Sequence, residues 1–142
     1  MKSYVYGIVL DTHILALSGV SGKLTEHLIK LYLFPYIDKN HWRKEVWNLL
    51  HLVPKLKSSK KFPSNQMIRD IIGAYDDMTT ELANLIIEEY TEEYPDLKPC
   101  RTDYNELAAI VNNYLDWISD VLSTKGVVTS SEVYAKLDEL GL

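Results

Sequence analysis

The sequence predicts an all-α fold, a single-domain bundle of five or six helices with at most one short strand near residues 4–10. Three observations predict it. Four long windows repeat their apolar residues at helical spacing. No window sustains the strict alternation of a half-buried strand. Capping and stopping residues stand at the window ends, and connections are short, so residues 1–142 read as one helical domain.

The first segment is ambiguous. Tyr4, Val5, Tyr6, Ile8, Val9 and Leu10 form an aromatic, β-branched run, and Ile14, Leu15 and Leu17 continue it beyond Asp11. A short buried strand and a helix apolar nearly all round fit equally. Ser18-Gly19-Val20-Ser21-Gly22 has turn chemistry and closes the segment. Leu24, Leu28, Leu31 and Tyr32 then mark one helix face, with Ser21 or Thr25 as cap and Pro35 as stop. Asp38 caps the next helix, whose face is Trp42, Val46, Leu49, Leu50 and Val53, and Pro54 closes it.

Residues 55–63, KLKSSKKFP, read as a basic loop. Ser64 caps a long helix carrying Ile68, Ile71, Tyr75, Met78, Leu82, Leu85 and Tyr90 to about residue 92. Residues 94–100 form a proline-stiffened connection. Thr102 caps a helix with Tyr104, Leu107, Ala108, Val111, Leu115, Ile118 and Leu122, stopped at Lys125-Gly126. Thr129-Ser130-Ser131-Glu132 is a capping box, and Val133, Leu137 and Leu140 face inward after it. The expected core is Trp42, Val46, Leu49, Tyr75, Leu82, Leu107, Val111, Leu115 and Ile118.

Charge is unevenly placed. Residues 1–63 hold 10 Lys+Arg and 4 Asp+Glu, while residues 64–142 hold 5 and 16, balances of +6 and −11. The basic half peaks at Lys55, Lys57, Lys60 and Lys61, the acidic half at Glu88, Glu89, Glu92, Glu93 and Asp96. Either the halves face each other, with solvated helix faces elsewhere, or one patch meets a partner of opposite sign. With pI ≈ 5.3, nucleic acid is not the expected partner, and a negative stripe repels it.

Reaction chemistry is sparse. The histidines, His13, His27, His41 and His51, include no i, i+4 pair and no H-E-x-x-H. No phosphate-cradling glycine loop, G-x-S-x-G or G-x-G-x-x-G occurs. No catalytic residue, metal site or cofactor is therefore expected. Cys100 is the single cysteine, so no internal disulfide forms and a reducing cytoplasm is the simplest compartment. No apolar run reaches the ~18–20 residues of a membrane span.

Two stretches carry resemblances. Ile8-Val9-Leu10-Asp11-Thr12-His13-Ile14-Leu15-Ala16-Leu17-Ser18-Gly19 resembles the opening strand of PIN-domain ribonucleases. The resemblance implies Asp11 as a Mg²⁺ ligand, with Glu45 available as the helix-borne carboxylate; no second or third apolar strand follows. Glu26-His27-Leu28-Ile29-Lys30-Leu31, Trp42-Arg43-Lys44-Glu45-Val46, Pro63-Ser64 and Tyr94-Pro95 with Pro99 look like a family of small helical bacterial proteins, the domain of unknown function numbered 29. That resemblance lacks the family's N-terminal acidic helix. It implies a helical fold and a bacterial source, and no activity.

Three functions are then in competition. The first is a non-enzymatic protein-binding module of immunity or antitoxin type. Its partner would be a basic, toxin-like protein, met by Glu88, Glu89, Glu92, Glu93 and Asp96, with Tyr90 and Tyr94 as aromatic anchors. The second is a metal-dependent nuclease of PIN type. The third is a structural or regulatory helical protein.

Overall fold

The computed structural model describes residues 19–57, 70, 78–124 and 127–142, with the backbone alone for 52–57 and 123. Five helices account for most of them. They are α1 (19–33), α2 (Pro35–Lys57), α3 (Thr79–Glu93), α4 (Tyr104–Thr124) and α5 (Ser130–Glu139). No strand occurs among the described residues. The all-α expectation holds there. The strand-or-helix segment 4–17 lies outside the described residues, as do Tyr75 and the stop at Lys125-Gly126.

α1 runs through the centre. Leu24, Leu28, Ile29, Leu31, Tyr32, Leu33 and Phe34 are all buried, a wider face than the predicted stripe. A fully buried leucine contributes roughly 1.5–3 kcal/mol, so this helix has reason to form despite its glycines. That explains one correction. Residues 19–22, expected as a turn, are helical, and Ser21 and Thr25 lie inside the helix rather than at its cap. Both are buried, and the Thr25 hydroxyl donates back to the Ser21 carbonyl at 2.9 Å.

Pro35 ends α1 as predicted, leaving only Phe34 between two helices. α2 then breaks internally at Asp38 (φ −160°, ψ 57°), the residue marked by sequence as a cap. Pro54 does not close α2, which continues to Lys57, so residues 55–57 of the expected basic loop are helical and the rest of it lies outside the described residues. An interior proline removes one N–H and strains one turn, at about 3 kcal/mol. The backbone stays helical on both sides of it.

The helix predicted from Ser64 to about residue 92 is described from Thr79 onward, apart from helical Asp70. α4 begins one residue later than the Thr102 cap implies. Asp103 Oδ1 accepts the N–H groups of Asn105 and Glu106, both at 3.1 Å. Adjacent Thr and Asp are both good caps, and the carboxylate also complements the positive helix end. The predicted box at α5 forms: Thr129 Oγ1 accepts from Glu132 N–H at 3.2 Å, and a Glu132 carboxylate oxygen accepts from Thr129 N–H.

α2 packs against α5, and α3 against α4. One hydrophobic cluster joins all five helices, including Trp42, Val46, Leu107, Val111, Leu115 and Ile118 as expected. Leu49 and Leu82, placed in the core by their spacing, are half-buried at its edge.

Candidate functional site

The five predicted carboxylates gather at one end of the molecule. Glu88, Glu89, Glu92 and Glu93 occupy the last two turns of α3, and Asp96 follows in the turn after it. At i, i+4, Glu88 pairs with Glu92 and Glu89 with Glu93 on the helix surface. All five are exposed, and none has a cation partner among the described residues. α3 carries no base in its last turn, so these charges meet the negative end of the helix dipole unopposed.

The two predicted tyrosines part company. Tyr94 caps the C-terminus of α3 and stands 53% exposed. Tyr90 turns inward and is half-buried. Its ring lies 5.4 Å from that of Phe34 and 6.3 Å from that of Trp42. The Lys30 ammonium sits 5.9 Å from the Tyr90 ring and pairs with Glu26 at 2.9 Å. Burial opposes the Lys30 charge. The Glu26 carboxylate and the Tyr90 hydroxyl outweigh it and raise the group above the usual lysine range. Tyr90 therefore ties α1, α2 and α3 together beneath the acidic surface.

Sequence reasoning missed a second exposed aromatic tied to the connection that follows Tyr94. The short turn opening α2 presents Tyr36 at 57% exposure, with Ile37 beside it. The Tyr36 hydroxyl donates to the Lys98 carbonyl at 2.5 Å, and Cys100 N–H donates to the Leu33 carbonyl at 2.6 Å. These bonds hold the α1–α2 turn against the 94–103 connection. The available signal was two large apolar residues directly after Pro35, where the helical period had lapsed. A shallow depression of about 400 Å³ in the connection itself is lined by Glu93, Tyr94, Pro95, Asp96 and Leu97.

Further ties support this end from below. The Tyr32 hydroxyl donates to the Asp103 carbonyl at 2.9 Å. The Arg101 guanidinium lies 4.3 Å from the Tyr32 ring and pairs with Glu106. The two charge halves meet where Arg43 bridges to Asp138 at 2.7 Å. That contact joins α2 to α5 and leaves the α3 carboxylates untouched. The Lys55–Lys61 side chains lie outside the described residues.

For the nuclease alternative, Asp11 lies outside the described residues. Glu45 is half-buried on α2 and accepts from the Asn48 amide at 3.3 Å. Asp38 and His41 are exposed around the α2 break. Among the described residues, no group of three His, Cys, Asp or Glu side chains could hold a metal ion. Nor is any helix there long and apolar enough to cross a membrane. Cys100 is a free, exposed thiol. Comparison of the chain with protein-family models, curated proteins and solved structures finds no match.

Proposed function

We propose that this chain is a non-enzymatic binding module whose acidic end docks a basic protein, as a cytoplasmic bacterial immunity or antitoxin protein docks its toxin. One observation carries the reading: Glu88, Glu89, Glu92, Glu93 and Asp96 lie exposed at the negative end of α3, without cation partners among the described residues. Each carboxylate in the last turn of a helix costs about 0.3–1 kcal/mol. Four glutamates beside one another add mutual repulsion. No cation among the described residues offsets that cost, whereas a cationic partner would be steered by it.

In this reading Tyr94 anchors the contact, because large amphipathic rings bury area at low entropic cost. Tyr90 acts from beneath by fixing α3 on Phe34 and Trp42. The carboxylates set the association rate and the specificity, and bound protein covers a cationic, phosphate-binding cleft on the toxin. No chemistry on the partner is required.

The test is affinity capture from the source cells, followed by kinetics on the recovered partner. Changing Glu88, Glu89, Glu92 and Glu93 together to Lys should slow association by ~10- to 1000-fold at low salt and leave the helical far-UV spectrum intact. The wild-type on-rate should fall as salt rises. A partner that binds the reversed variant as fast as wild type excludes this face. Recovery of nucleic acid alone would sink the reading.

A further inference from the structure

The acidic end has a focus. Three features converge on the depression lined by Glu93, Tyr94, Pro95, Asp96 and Leu97. Its two carboxylates have no cation partner among the described residues. Its exposed ring, Tyr94, shares the lining with the apolar Pro95 and Leu97. The helix end behind it keeps free acceptors: Pro95 has no N–H to offer the Thr91 carbonyl, and Leu97 N–H donates to the Tyr94 carbonyl at 3.0 Å rather than to that of Glu93.

We infer that this depression is a slot for a single arginine side chain projecting from the basic partner. The inference rests on reading the acidic end as the docking face. It adds which residue type the partner inserts and where. Charge complementarity selects a cation. The apolar lining and the ring select arginine over lysine, because a guanidinium is planar, weakly hydrated and able to stack. Its five forked donors suit a lining of two carboxylates, where an ammonium acts as a compact, strongly hydrated point charge. The methylenes of the side chain would lie along Pro95 and Leu97.

The experiment is an amide-resolved NMR titration of the full chain with three short blocked peptides, acetyl-Gly-X-Gly-amide, where X is arginine, lysine or citrulline. Citrulline keeps the shape of arginine and lacks its charge. The arginine peptide should shift the Tyr94, Asp96 and Leu97 amides in a saturable way. The lysine peptide should bind more weakly, and the citrulline peptide should leave these amides in place. Replacing Tyr94 by Ala should weaken the arginine peptide about threefold, the size of one exposed cation–π contact, while the remaining amides keep their positions. Glu93→Gln with Asp96→Asn should weaken it further.

Equal response to citrulline, no saturable shift at residues 94–97, or indifference to Tyr94→Ala each overturns the slot. Shifts confined to Glu88 and Glu89 also overturn it while leaving the docking face standing. The docking face itself falls only in the charge-reversal kinetics, so the two failures are told apart.

Discussion

α5 and α3 are built on opposite principles. α5 is ten residues long, and both of its ends are answered. A capping box closes its start, Lys136 stands in its last turn, and Leu142 N–H donates back to the Leu137 carbonyl at 2.8 Å past Gly141 in the left-handed region. Arg43 reaches across from α2 to Asp138 and to the Tyr134 carbonyl. α3 is half as long again and has neither device. Its first cap, Met78, offers no side-chain hydrogen bond, and its last turn is acidic. Leu85 stays 60% exposed on its flank. α5 is held by its own sequence, whereas α3 is held by what it rests on: Ala83 and Ile86 in the core and Tyr90 against Phe34 and Trp42. Such a helix can carry unfavourable charge because its stability comes from elsewhere.

The sharpest way to break this comparison is to remove the shared support. Leu115 on α4 is buried in the cluster that both helices contact. Leu115→Ala should lower unfolding free energy by ~2–5 kcal/mol in a denaturant titration; a loss below about half a kcal/mol would mean that α4 is wrongly registered. Thr129→Ala next removes the α5 box and should cost ~1 kcal/mol by the same measurement. No loss there would show that α5, too, depends only on packing.

Tyr114 tests the support from another side. Its ring is fully buried, burial pushes its hydroxyl well above the usual tyrosine range, and that hydroxyl has no hydrogen-bond partner in the described structure. Tyr114→Phe should raise stability by up to about 1 kcal/mol, because it deletes an unsatisfied polar group without opening space. A clear loss would mean that the hydroxyl is satisfied in solution.

The smallest effect has the most telling sign. Glu92→Gln and Glu93→Gln remove charge from the negative end of α3 and should each stabilise by about 0.3 kcal/mol or a little more. Thermal midpoints at low salt would read it, with the gain shrinking as salt rises. Polar truncation at the start of α5 would then destabilise while charge removal at the end of α3 stabilises. A loss in both would dissolve the contrast.

What the sequence made legible follows the same division. Several local devices could be read, although the Pro54 stop could not, because α2 continues through it to Lys57. The Thr129–Glu132 box, the Pro35 stop, the Asp38 break and the Leu24–Tyr32 face need only neighbouring residues. Non-local ones could not. Nothing near Tyr90 says that Phe34 and Trp42 will take its ring, so an inward residue read as a surface anchor. Nothing near Tyr36 says that its hydroxyl will find the Lys98 carbonyl. Helix formation at 19–22 depends on burial from other elements, which overrides turn chemistry. Thr102 and Asp103 are equivalent by type, and only the three-dimensional approach of the α4 amides distinguishes them.

The hydrogen bond from the Tyr32 hydroxyl to the Asp103 carbonyl spans 71 positions of chain. A closure of that length is entropically costly and belongs to global assembly rather than to local zippering. The 94–103 connection therefore acquires its shape only when α1 and α4 are together. A ligand of that connection would recognise the assembled chain and not its fragments, so its binding free energy would add to the free energy of complete unfolding. Slow amide exchange deep in α1, far from any contact with the ligand, would become slower still. The connection would thus act as a reporter of whole-molecule folding, visible from the opposite side of the bundle.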